Sequence, residues 1–496
     1  MILVDKFKYY LAQNNTANQT IFKNTFWLSL AEFFKNGVRF LIQIFLAREL
    51  GAAGYGLLAF ALSFAGIFGF LADFGSSTLI LREVSRDKSQ AKKFFDNILF
   101  IKAILGAATF LLIILSAQVV STEESTRFLI YLAGASVIIN TFSEFFRSFF
   151  RAFEKMQWEA FTKIFEGILL ALIVGFLVIK RGANLEEIFY GYIAIGIIIL
   201  ILNLIILFKR FLTPSLEKIP PAPFDKGGNL RRGFNLDYQE IKLILRKSLP
   251  LVFSAVFISI YYNIDQIMIG VISTKTELGY YSAAQRIIYG LSMFYMIALI
   301  VFSPKIAYFF KKDIKQLSLL LKKMNKAMLA IAIPMGIGGT ILAPEIINLI
   351  FGGEYARAIL AFQILIWSQV IVFVNACYGN TLVMCDKQKK FLYGVGAGAM
   401  INIILNFILI AKFSLYGASI ATVITQLLVF VYMYLALSKK VIEIKFYRYL
   451  TKPLLASLAM AAVLIFLKAS LGILILIPIG IIIYFLLLFK FLKFRF

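Results

Sequence analysis

Glu32, Lys35, Arg39 and Gln43 recur at steps of three or four residues inside the apolar stretch 25–47. That spacing puts them on one face of a helix, with Asn36 beside Lys35. Lys35 and Arg39 fall near the middle of the stretch, where a cation costs at least ~2.5 kcal/mol even on the most lenient insertion scale. Cations at that depth face a wet cavity or a partner. The chemistry they suit is holding an anion in mid-membrane. The competing reading is a structural ion pair with Glu32 or Glu144, and the sequence leaves both open.

Further ionisable residues lie inside apolar segments: Lys102, Glu144, Lys163 and Glu166 in the first half, and Asp265, Arg286 and Glu345 in the second. Lys102, Glu144 and Lys163 fall in the inner third, where a long lysine either snorkels to the headgroups or meets substrate. Asp265 has three competing roles: a salt bridge to Arg286, a ligand for a coupling Na⁺ or H⁺, and a rim residue. The salt bridge ranks first, because a buried acid without a partner favours its neutral form. Pro334, Gly336, Gly338 and Gly339 predict a kink, either a hinge for alternating access or a static bend. Glu32, Glu144, Asp265 and Pro334 are thus the candidates for coupling or gating.

Enzymatic chemistry has little to work with. The chain has no histidine, no P-loop, no G-x-S-x-G elbow and no Asp-x-Asp pair. Cys377 and Cys385 are eight residues apart on one predicted helix, too far for a mutual disulfide. No catalytic residue, metal site or cofactor is expected, apart from a coupling ion.

The elements that position these residues are membrane helices. Of 496 residues 61% are hydrophobic and 16% charged, and mean hydropathy is +0.86. Segments of about 20 apolar residues without strict alternation indicate spanning helices rather than a barrel. About fourteen transmembrane helices are predicted, near 25–47, 54–80, 96–119, 127–149, 160–180, 186–208, 248–271, 279–303, 324–351, 357–385, 391–412, 415–438, 449–468 and 470–490. A cytoplasmic N-terminal segment, 1–24, has the polar character of no cleavable signal. Lys and Arg number 36 in alternate loops and about 8 in the others, which orients both termini toward the cytoplasm. The net charge of +25 sits in those loops, so nucleic acid is not a partner.

The Pro-, Gly- and basic-rich stretch 209–247 reads as a cytoplasmic linker. It separates a six-helix bundle, 25–208, from a second, 248–438, with two extra helices over 449–490. A short pattern repeats across it: Glu49-Leu50-Gly51 with Gly54-Tyr55-Gly56, and Glu277-Leu278-Gly279-Tyr280. Parallel repeats of this kind place a transporter's site between the halves, near the midplane.

Two stretches carry a resemblance. Arg48-Glu49-Leu50-Gly51-Ala52-Ala53-Gly54-Tyr55-Gly56, then Asp73-Phe74-Gly75 and Arg82-Glu83, resembles the start of the oligosaccharide (O-antigen and polysaccharide, Wzx-type) flippases. These belong to the multidrug/oligosaccharidyl-lipid/polysaccharide (MOP) exporter superfamily. Gly398 through Asn406, with its paired Asn402 and Asn406, and Tyr416 through Thr422 are similar to the same family. The resemblance implies two six-helix bundles around a central cavity plus two C-terminal helices. It implies a flippase, not an enzyme, carrying a polyprenyl-diphosphate oligosaccharide from the inner to the outer leaflet of a prokaryotic cytoplasmic membrane. Lys35, Arg39 and Arg286 would meet the diphosphate, and Lys102 and Lys163 would mark the inner approach. Membrane lipids and polysaccharide-assembly proteins are the further expected partners. A cation-coupled multidrug antiporter and a lipid II flippase are the alternatives within the superfamily; a membrane scaffold or glycosyltransferase ranks below them.

Overall fold

The computed structural model describes residues 17–179, 184–212, 238–438 and 446–491. Before the linker come α1 (Ala17–Asp73), α2 (Ser76–Arg86), α3 (Ala91–Val120), α4 (Glu124–Ala152), α5 (Met156–Leu169), α6 (Gly175–Ile179) and α7 (Leu185–Leu207). Beginning inside the far end of the expected linker comes α8 (Tyr238–Ile272), followed by α9 (Lys275–Lys312), α10 (Ile314–Ile341), α11 (Ala343–Phe351), α12 (Ala358–Met384), α13 (Gln388–Ser438), α14 (Thr451–Leu467) and α15 (Ile473–Leu486). Ten helical stretches among the described residues are long and apolar enough to cross a membrane, and Thr451–Leu467 is a shorter apolar one. The protein is a multi-pass helical membrane protein.

The count of ten falls below the expected fourteen partly because two stretches each hold a pair of predicted spans. In α1 the interruption is Gly51 at φ 64°, ψ 178°, a region open essentially to glycine. In α13 it is Ser414 at φ 51°, ψ −128°, held by Ser273 Oγ at 2.7 Å and by donation to Glu277 Oε2 at 3.1 Å. The predicted span 54–80 is itself broken, since Phe74 and Gly75 both have positive φ between α1 and α2.

Pro334 lies inside α10, which runs on unbroken to Ile341. Proline has no N–H to offer the Ala330 carbonyl one turn earlier. The buried Tyr484 hydroxyl, from the C-terminal helix pair, donates to that carbonyl at 2.7 Å instead. The break comes at Leu342, just before Ala343-Pro344 opens α11. Lys468 adds a second tie, donating to Ile341 O at 3.2 Å and pairing with Glu345 at 3.0 Å.

By internal packing the chain divides into two compact units. One runs through Glu49 and over Ala61–Ser259; the other holds Leu50–Phe60 and the chain from Ile260. The seam expected in 209–247 therefore falls inside α8, and Leu50–Phe60 packs with the second unit. Of the linker, 213–237 lies outside the described residues, as does 1–16 of the expected N-terminal segment; α1 already begins at Ala17. In the first unit Phe95 sits among Phe145, Phe146 and Phe149, joining α3 to α4. In the second, one core gathers α9, α10, α12 and α13, and another docks α14 and α15 on α10.

The sequence repeat has a physical cause in the second unit, where its two copies pack on each other. A Cβ on Gly56 would lie 1.7 Å from Lys275 O, and one on Gly279 would lie 1.8 Å from Ala52 O. Both positions exclude any side chain. Glu354 Oε1 accepts from Ala52 N–H at 3.1 Å, and Lys275 Nζ stands 3.3 Å over the Phe60 ring.

Candidate functional site

In the first unit Lys35 is one end of an alternating chain of charges. Lys35 Nζ meets Glu166 Oε1 at 2.7 Å, and Arg147 Nη2 meets Glu166 Oε2 at 2.7 Å. Arg147 Nη1 also meets Glu144 Oε1 at 2.8 Å, while Glu144 Oε2 lies 3.4 Å from Arg151. Arg151 approaches Glu159 at 3.4 Å; Glu159 holds Lys163 at 2.7 Å; Lys163 holds Glu32 at 2.5 Å. Glu32 precedes Lys35 by three residues on α1, so the chain starts and ends on one helical face. Four cations alternate with four carboxylates, and the series is neutral as a whole.

Local sequence explains how the partners reach one another. Glu144, Arg147 and Arg151 are spaced at three and four on α4, and Glu159, Lys163 and Glu166 at four and three on α5, so each set shares a face. Gly167 lets α5 approach α1 closely: a Cβ there would stand 3.1 Å from the Phe34 ring and 3.5 Å from Lys35 Cα. A π-helical turn, Leu170–Val174, follows directly and joins α5 to α6. Such turns recur near functional sites because they shift the register of the faces on either side.

Burial grades the series. Arg147 and Glu159 are 1% and 0% exposed, whereas Glu144 and Glu32 are 40% and 44% exposed. Arg147 is also fixed by donation of Nε to Thr162 Oγ1 at 3.2 Å. The inner members form a frame, and Glu144 and Glu32 are its most exposed carboxylates. Arg39 follows Lys35 by one turn, is exposed, and lies within electrostatic reach of it.

The structure thus brings together Lys35, Lys163, Glu32 and Glu144, and adds Arg147, Arg151, Glu159 and Glu166. Lys35 pairs with Glu166 rather than with Glu32 or Glu144. Lys163 does not snorkel; it is buried between two carboxylates. Neither does Lys102, which is 1% exposed and donates to Ala72 O at 3.0 Å and Asp73 Oδ1 at 3.4 Å. It closes the carboxyl end of α1, where a cation satisfies terminal carbonyls. Arg286, Asp265 and Pro334 belong to the second unit.

Asp265 meets neutral donors rather than the expected Arg286. Tyr281 Oη donates to Oδ2 at 2.9 Å, Thr422 Oγ1 to Oδ2 at 3.0 Å, and Asn406 Nδ2 to Oδ1 at 2.6 Å. Asn406 also donates to Asn402 Oδ1 at 3.0 Å, while its own Oδ1 is buried without a hydrogen-bond partner. Asp265, Asn402 and Thr422 line a cavity of about 70 Å³ with Tyr261, Tyr289 and Gln426. A carboxylate among amide and hydroxyl oxygens suits a hard cation or a proton. No group of three or more His, Cys, Asp or Glu among the described residues offers a metal site. The sequence showed Asn402, Asn406 and Thr422 only as parts of a familiar motif; their convergence on Asp265 is tertiary.

Residues 21–310 match the family described as "Polysaccharide biosynthesis protein", more than half of the chain. The chain belongs to that family. Residues 250–408 also match the MatE family. The "Probable low-salt glycan biosynthesis flippase Agl15" of Haloferax volcanii is 24% identical over 400 residues, 80% of this chain and 79% of the relative. The "Capsular polysaccharide biosynthesis protein CapF" of Staphylococcus aureus is 25% identical over 211 residues, 42% of this chain and 52% of the relative. The fold is that of "Lipid II flippase MurJ, inward closed conformation", with TM-score 0.73, 18% identity and coverage of 94% and 98%. An inward-facing MATE multidrug transporter of the MOP superfamily follows at TM-score 0.63 and 14% identity, covering 84% and 98%. This chain is therefore a multi-pass membrane protein of a polysaccharide-biosynthesis family, with the fold of these transporters.

Proposed function

We propose that this transporter flips a polyprenyl-diphosphate-linked oligosaccharide from the inner to the outer leaflet of a prokaryotic cytoplasmic membrane by alternating access. The observation that carries the reading is the exposed Arg39 on α1, one turn from Lys35, whose ammonium pairs with Glu166, with Lys163 paired to the half-exposed Glu32 nearby. A diphosphate is a compact anion that loses hydration on leaving water, and charge-assisted hydrogen bonds from these cations offset that loss. Arg286, in the second unit, is proposed as a separate phosphate contact. Lys102 is reassigned to holding the end of α1.

Asp265 is proposed as the coupling site. A buried carboxylate supplied with neutral donors lacks countercharge, which a Na⁺ or a proton provides. Asn402 and Thr422, which line the same cavity as Asp265, would complete an oxygen shell.

The test is reconstitution into vesicles with a fluorescent polyprenyl-diphosphate oligosaccharide. The Lys35→Ala/Arg39→Ala variant is expected to lose at least about tenfold in outward-leaflet appearance, as loss of charged hydrogen bonds implies. Undiminished transport in that variant contradicts the proposal. The MatE match and the buried Asp265 favour a second reading, a cation-coupled drug antiporter. Robust efflux of cationic dyes that is lost in Asp265→Asn would select it.

A further inference from the structure

We infer that Glu32 is a resident stand-in for the substrate's phosphate: its carboxylate holds Lys163 in the resting transporter and leaves when the diphosphate arrives. The inference rests on the proposed substrate class and assigns Glu32 a role beyond it. Four carboxylates sit in the charge series, and their surroundings single out this one. Glu159 is fully buried and Glu166 is 15% exposed between Lys35 and Arg147. Glu144 is 40% exposed, yet two arginines hold it, at 2.8 and 3.4 Å. Glu32 is 44% exposed, and its contacts are Lys163 at 2.5 Å and a long 3.5 Å donation from Asn36.

The cation side is built for the exchange. Lys163 has a second carboxylate, the buried Glu159 at 2.7 Å, which holds its ammonium in place when Glu32 departs. Lys35 is likewise held by Glu166, whose other oxygen is bound by Arg147. A phosphate oxygen replacing the Glu32 carboxylate meets Lys163 with Lys35 one turn along α1 and Arg39 one turn further. A carboxylate and a phosphate oxygen accept the same charge-assisted hydrogen bond, so the swap leaves no buried cation bare at any stage. Return of Glu32 competes with the diphosphate and speeds its release on the far side.

The test is binding of farnesyl diphosphate, with farnesol as the uncharged control, to the purified full-length protein and its Glu32→Gln and Glu144→Gln variants. Both variants remove one negative charge from similarly exposed positions, so a general field effect tightens binding equally in both. The stand-in role predicts about tenfold tighter binding in Glu32→Gln, little change in Glu144→Gln, and slower vesicle transport in Glu32→Gln. Glu32→Asp, which keeps the charge, is expected to restore affinity toward that of the parent. Equal tightening in the two Gln variants, or none in Glu32→Gln, overturns the inference while leaving the diphosphate reading intact. A parent protein that binds farnesyl diphosphate no better than farnesol overturns both.

Discussion

Arg147 is the residue on which the first unit's charge series depends. Its guanidinium, 1% exposed, satisfies Glu144, Glu166 and Thr162 at once. Removing one partner of a buried pair leaves the others uncompensated, at a cost of about 3–5 kcal/mol. Arg147→Ala is therefore expected to lower thermal stability markedly in a detergent melting assay, whereas Glu32→Gln, at a half-exposed carboxylate whose partner Lys163 keeps Glu159, changes it by less than about 1 kcal/mol. A melting temperature unchanged by Arg147→Ala would show that the series carries no stability. Lys35 and Arg39 were conspicuous in the sequence because their depth is costly in any fold. Arg147 was not, because its position near a predicted inner loop made it resemble an orienting loop cation. The i, i+3 and i, i+4 spacing of Glu144, Arg147 and Arg151 was the available signal. Their connection to Glu159 and Glu166 depends on how α4 meets α5, which spacing along one helix does not reveal.

At the scale of elements, glycine marks where helices meet. Gly56 and Gly279 each face the other segment's backbone at distances that exclude a methyl group. The repeated Glu-Leu-Gly and Tyr pattern was legible as a repeat, but its meaning, mutual packing of the two copies, was not. Gly279→Ala is expected to force these segments apart and reduce the yield of monodisperse protein severely. Gly353→Ala, where no atom stands within 4 Å of the added Cβ, should behave like the parent; equal yields for the two variants would contradict the packing described. Pro334 teaches the converse. Its missing N–H leaves the Ala330 carbonyl without its helical donor, and Tyr484 supplies that hydrogen bond from 150 residues further along the chain. The carbonyl's need was legible from the proline alone, whereas its donor, a tyrosine in an apolar span, carried no sign of the contact.

For the whole molecule, the membrane class, helical architecture and family were legible, because hydropathy and loop charge are properties of the chain rather than of its packing. The unit boundary was less so. A proline-rich linker marks where sequence character changes, whereas packing places Leu50–Phe60 with the second unit and divides α8. The proposed anion site and coupling site lie in different units, the first built on charge exchange and the second on a carboxylate short of countercharge. Transport then requires that occupancy of one bias the other, a coupling free energy between two sites. On the proposed reading the diphosphate, not the glycan or the lipid, is what the protein grips in mid-membrane. The most direct measurement compares outward-leaflet appearance of two fluorescent lipids in vesicles, with the same oligosaccharide and polyprenyl chain joined either by a diphosphate or by an uncharged linker. The diphosphate-linked lipid is expected to move at least about tenfold faster; equal rates for the two would overturn the proposed grip.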